Sequence, residues 1–198
     1  MESIRELLVD EMRDLYDAEK QLVKALPKVV KASTNSELSE AVAAHLEQTR
    51  GHVQRLEQAF ELLGEKARSK SCVAMHGLIE EAQEVMQEDM PEPLVDSALI
   101  CAAQKVEHYE IAGYGTVSAW AEALGLSDVA ELLKETLEEE KAADEKLTGI
   151  AGEILMEAEA LSEEGSEEED QETVETDGQP RKGAARQNAG QRKQLKTS

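Results

Sequence analysis

Apolar residues recur along most of this chain at helical spacing, and in four places the apolar stripe is broken by an acid or an imidazole. The first stripe reads Ile4, Leu8, Leu15, Glu19, Leu22, Leu26, so Glu19 stands where a packing residue belongs. The second places His45 among Val42, Thr49, Val53, Leu56 and Phe60. The third carries Glu107 and Glu110 within Ile100, Ala103, Tyr114, Val117, Ala121 and Leu124, and the fourth has Glu140 and Asp144 between Leu133, Leu137, Leu147 and Ile154. Positions three and four apart share one helix face. An acid on such a face is costly unless it is paired or holds a cation. Four helices making the same costly choice point to one shared metal site.

Punctuation sets the element order. Ser3 with Glu6 fits a capping box for a first helix that runs through Pro27, with a kink there, and stops near Ser33-Thr34-Asn35. Ser36 is placed to cap a second helix ending at Gly64. A shorter helix spans about Cys72 to Gln87, a third long one runs from the Pro91/Pro93 region to Gly125, and Ser127 or Asp128 caps the fourth, with Glu131 completing a box. Two helical hairpins joined by a crossover with its own helix is the wiring of a ferritin-type bundle. The expected fold is therefore all-α, a ferritin-like four-helix bundle with an additional crossover helix.

Composition agrees with that reading and narrows the function. Aromatic residues make up 3% of the chain and the body is rich in Ala, Leu, Glu and Lys, a helical composition. A net charge of -22 argues against a nucleic-acid-binding body. No apolar run approaches the length of a membrane span and the N-terminus lacks a secretory pattern, so a cytoplasmic location is expected. Cys72 and Cys101 form no Cys-x-x-Cys pair and read as reduced thiols. Residues 1-160 are assigned to the bundle and 161-198 to a disordered tail, acidic to Pro180 and basic from Arg181 onward, with no apolar face to contribute to a core.

The ligand set that follows is Glu19, His45, Glu107, Glu110, Glu140 and Asp144. Glu107 and Glu110 are one turn apart and reach into one gap between helices, a spacing that suits bridging of two ions. Glu138 and Glu139 point elsewhere and read as solvated. His52, two turns beyond His45, is either a second nitrogen donor or a polar flank, with the flank favoured; Glu47, His76 and His108 fall outside the stripes. Tyr16, Tyr109 and Tyr114 are candidate neighbours of the site.

Several stretches together are similar to the YciE/YciF group of ferritin-like bacterial stress proteins. They are Leu15-Tyr16-Asp17-Ala18-Glu19-Lys20-Gln21-Leu22, His45-Leu46-Glu47-Gln48-Thr49, the run from Cys72-Val73-Ala74-Met75 to Gly77-Leu78-Ile79-Glu80-Glu81, Gln104 to Ala112, and Glu138 to Asp144. The likeness covers the helical body and not the tail. It implies a rubrerythrin-like bundle, a homodimer, a dinuclear metal site on the six residues above, and a link to stress. One departure stands at Gln48, where the group commonly carries a second Glu; the neutral side chain, one turn from His45, would weaken one metal position.

Oxygen-dominated ligation with an imidazole favours two divalent ions, iron or else manganese, over zinc. Five carboxylates round one cavity hold raised pKa values when metal is absent, and binding releases protons. Three readings follow: a dimetal redox enzyme acting on oxygen or peroxide with an external electron donor, a metal-binding protein without turnover, and a structural stress protein with a vestigial acidic cluster. The absence of a rubredoxin-like Cys-x-x-Cys pair counts against an autonomous peroxidase.

Overall fold

In the computed structural model the backbone is described for residues 2–176 and the side chains for residues 2–160. Five helices follow one another: α1 (Ile4–Ala32), α2 (Ser36–Leu62), α3 (Val73–Val85), α4 (Glu92–Ala123) and α5 (Ser127–Thr176). Among the described residues there is no strand and no helix long and apolar enough to cross a membrane. The order long, long, short, long, long is the one the apolar periodicity predicts.

Local chemistry sets the ends. The Ser3 hydroxyl accepts from the Glu6 amide at 3.2 Å, while the Glu6 carboxylate reaches the amide of Glu2 rather than that of Ser3. The helix carries Pro27 within its span. Asn35, not Ser36, caps α2, because its side-chain oxygen takes the Leu38 amide at 3.0 Å. Gly64 and Gly125 adopt φ +69° and +71°, the left-handed conformation in which a helix stops at no side-chain cost.

Side-chain contacts fix the packing. Tyr16 meets Glu57, and Arg5 donates to the carbonyl of Leu63, so α1 and α2 are antiparallel. Tyr114 reaches Glu19 while Asp96 meets Thr34, which makes α4 antiparallel to α1. Arg55 reaches Thr136 and Gln104 reaches Asp144, placing α5 against both α2 and α4. The directions are up, down, down, up. Since α2 ends beside the start of α1 and α4 begins beside its end, the connection must cross the length of the bundle, and α3 does so along α1 and α4. Cys72 at its start donates its amide to Asp17, and Lys105 pairs with Glu81 on α3.

The core has two halves. One gathers Leu8, Met12, Leu15, Phe60, Tyr114 and Leu133; the other gathers Leu22, Leu38, Met75, Leu99, Leu147 and Ile154. A polar layer lies between them. Gly113 lets α4 approach α1 there, since a Cβ at that position would stand 2.7 Å from Leu15 Cδ2. Leu63 is buried in the first half, Trp120 packs partly buried against it, and Leu78 and Ile79 pack partly buried against the second.

Residues Met1–Ala160 form one compact unit. The last helix continues to Thr176, through the first part of a stretch for which disorder is expected. The physical reason is that an acidic run lacking an apolar face can still contain strong helix formers, Glu above all. The basic arm from Arg181 lies outside the described residues.

Candidate metal centre

The polar layer is assembled one helix at a time. Glu19 is flanked on its own face by buried Leu15 and Leu22, so packing of α1 forces the carboxylate inward. On α2, His45 and His52 are seven residues apart, two turns along one face. Glu107 and Glu110 come from one turn of α4, and Glu140 from α5. Glu19, His52, Glu110 and Glu140 have 0% exposure, and His45 and Glu107 are buried as well.

Two groups of donor atoms result. One ligand atom each from His45, Glu107, Glu110 and Glu140 lie within 4.8 Å of one another, as do one each from Glu19, His52 and Glu140. Glu140 belongs to both. His45 Nε2 stands 3.4 Å from Glu107 Oε1 and 3.8 Å from Glu140 Oε2. His52 Nδ1 is 2.9 Å from Glu140 Oε1 and 3.4 Å from Glu19 Oε1, but at angles that make no hydrogen bond. Both oxygens of Glu110 and of Glu140, and one each of Glu19 and Glu107, are buried without a hydrogen-bond partner. Buried polar atoms are nearly always satisfied. So many orphans aimed at one space fit cations bound between them.

The histidine not facing inward with both nitrogens is held from outside. His52 Nε2 lies 2.8 Å from Glu139 Oε2, and Arg55 holds that carboxylate at 3.0 Å while also donating to Thr136 and Glu135. A hydrogen bond at one ring nitrogen directs the other toward a metal, the usual device around histidine ligands. From α4 the Tyr114 hydroxyl donates to Glu19 Oε1 on α1 at 2.5 Å.

Charge is distributed unevenly. Burial, reinforced by neighbouring Glu140, drives Glu107 well above the usual carboxylate range; burial and the charges of Glu19 and Glu140 do the same to Glu110. Burial also raises Glu19, against the opposing pull of His52. Burial works to lower His52, but Glu140 and Glu19 outweigh it and lift the imidazole to about 10. Burial likewise pushes Glu140 up, and His52 more than offsets this, leaving it below its ordinary value. His45 is lowered by burial against the pull of Glu140. Without metal the layer is therefore a protonated His52 beside ionised Glu140, with Glu107 and Glu110 inclined to stay neutral.

Five of the six ligands inferred from the sequence, Glu19, His45, Glu107, Glu110 and Glu140, meet in this layer. Asp144 stands apart. Its side chain is 23% exposed and takes Gln104 Nε2 at 3.1 Å and His108 Nε2 at 3.5 Å on the outer side of α4 and α5. His52, expected as a polar flank, is instead fully buried between Glu19 and Glu140. Glu139, expected to be solvated, is the carboxylate that holds it. Of the tyrosines only Tyr114 touches a donor; Tyr16 bonds Glu57, and Tyr109 bonds Asp14 and Cys72.

A family profile described as a domain of unknown function, DUF892, matches residues 3–160. Protein YciF of Escherichia coli strain K12 is 51% identical over 152 residues, covering 76% of this chain and 92% of that protein. The crystal structure of that stress protein superposes with a TM-score of 0.76 at 50% identity, over 78% of this chain and 98% of the other. YcfI of Rhodopseudomonas palustris, described as a candidate structural protein, gives a TM-score of 0.73 at 46% identity, over 74% and 94%.

Proposed function

The chain belongs to the DUF892 family, a domain of unknown function, and on that premise we propose that it is a stress-linked protein binding two divalent metal ions, iron or else manganese, in the layer between its two core halves. The observation that carries this reading is the pair of overlapping donor groups, one of His45, Glu107, Glu110 and Glu140, the other of Glu19, His52 and Glu140. Each has an imidazole and at least two carboxylates, and Glu140, which belongs to both, would help hold both ions. Such hard, oxygen-rich ligation suits iron or manganese. A pair of iron ions held this way would supply two-electron chemistry toward oxygen or peroxide.

The chain's own residues contribute position: Glu139 and Arg55 orient His52, Tyr114 fixes Glu19, and leucines of the two core halves flank the layer. Electrons would come from an external donor, as neither cysteine offers a relay: Cys72 is buried against Tyr109 and Cys101 is exposed and solitary. Anaerobic titration with ferrous iron tests the reading. Uptake of two ions per chain supports it, and substitution of Glu107 by Ala should remove one or both; undiminished binding in that variant contradicts it.

A structural role is the second reading. It is favoured by the protonated His52 beside ionised Glu140, which lets the layer satisfy much of its own charge without metal. It agrees with the description of the Rhodopseudomonas palustris relative. Failure to take up any divalent ion would select it.

A further inference from the structure

Beside the polar layer the bundle is not filled. A cavity of about 420 Å³ reaches from His45 and Glu107 into the apolar half formed by Leu22, Leu26, Val42, Leu99, Val106 and Leu147. Its size lies in the range of about 300–1,000 Å³ typical of small-molecule sites. Ile79 of the crossover helix α3 and Met86 at its C-terminal cap close one side. Exposed Lys28 and Lys146 border it at the far end, and among the described residues neither makes an ion pair. Lys28 lies nine residues beyond Glu19 on α1 and Lys146 six beyond Glu140 on α5, or roughly 9–13 Å from the layer along the helices. The cavity is thus long, apolar along its walls, cationic at its mouth and acidic at its inner end.

We propose that this cavity binds a medium-chain aliphatic carboxylate, head group at Lys28 and Lys146 and chain directed toward His45 and Glu107. The direction follows from charge. A carboxylate is attracted by the two unpaired ammonium groups at the outer end, and the Glu107 carboxyl at the inner end offers it no countercharge. The chain buries methylenes, each worth about 0.8 kcal/mol on transfer from water, against the apolar walls of the cavity. As the substrate class of the metal centre the assignment rests on the reading above; as a binding site it stands on the cavity alone.

Calorimetric titration of the full chain with decanoate and with decanol tests it, metal stoichiometry being measured on the same preparation. One saturable decanoate site per chain is expected. Ala103→Phe projects a ring into the cavity and should weaken decanoate at least tenfold with metal uptake unchanged, its fold checked by circular dichroism. Lys28→Glu combined with Lys146→Glu, both on the surface, should weaken decanoate about tenfold but decanol by less than about threefold. Absence of saturable decanoate binding, full binding by a folded Ala103→Phe variant, or equal loss of acid and alcohol in the lysine variant would each overturn the proposal. A chain that binds decanoate but no metal refutes the dinuclear reading alone, and one that binds metal but not decanoate refutes the cavity assignment alone.

Discussion

At the scale of single residues, His52 governs how the buried charge is shared. It lies between Glu19 and Glu140 and carries the positive charge that keeps Glu140 ionised in the absence of metal. Replacing it with Leu leaves that carboxylate buried and alone, a loss on the order of 3–5 kcal/mol. Urea unfolding of chelator-treated protein reads this directly. A pH dependence follows from the same groups. His52 titrates near 10 when folded and near 6.5 when unfolded, so its contribution is complete below about 6.5 and lost as pH rises toward 10. Glu107 and Glu110, raised by burial, act in the same direction, since the folded chain keeps protons that the unfolded chain releases above about 4.3. Glu140, lowered, opposes them only on the acid side, below its ordinary value. Metal-free protein should therefore melt at a lower temperature at pH 9 than at pH 6, and bound metal should shrink the difference by binding the folded state. A metal-free melting temperature that stays level or rises over that interval contradicts this charge assignment. Glu19, Glu107 and Glu110 were legible in the sequence because each interrupts a run of apolar residues. His52 was legible only as one of two alternatives, a second nitrogen donor or a polar flank, because spacing along one helix does not say what faces it from the others. At about 100° per residue, however, His52 lies only about 20° from His45, and Val53 about 80° away.

At the scale of elements, the joints carry as much information as the stripes. Asp96, near the start of α4, is buried and accepts from the amides of Thr34 and Asn35 at 2.9 and 2.8 Å and from the Thr34 hydroxyl. It ties the α1–α2 turn to the return of the crossover. Asp96→Ala removes three hydrogen bonds to a charged acceptor and should cost about 2–4 kcal/mol. In a domain of this size each kcal/mol shifts the melting temperature by about 2–4 °C, so thermal unfolding resolves it. Asp96→Ala melting with the parent would show that the joint bears no strain in holding α4. Helix ends at Ser3, Gly64 and Gly125 were readable because hydroxyl caps and left-handed glycines have local causes. Asp96 was unreadable, since its partners lie about sixty residues away. The start of α2 fell one residue from expectation because Asn and Ser are equally good caps and stand side by side at positions 35 and 36.

At the scale of the whole molecule, an up-down-down-up bundle puts all four long helices around one layer and so brings together acids separated by over a hundred residues. The order of helices and the need for a crossover could be read from periodicity and turn chemistry; the two-part core could not, because which leucines meet depends on packing between helices. Cutting the chain after Ala160 should leave melting and metal binding nearly unchanged, since the remaining unit is compact and contains every donor named above. Removing the nine acids and six bases that follow leaves a body at -19, which should not retain DNA at physiological salt; a gel shift that persists there would contradict this. The central claim is that two ions share Glu140. Metal analysis by mass spectrometry of chelator-stripped protein reloaded with ferrous iron, then desalted, tests it most directly in three chains: parent, Asp144→Ala and Glu140→Ala. The account predicts about two ions in the first two and fewer than about half an ion in the third. Two ions in Glu140→Ala, or none in the parent, would contradict it.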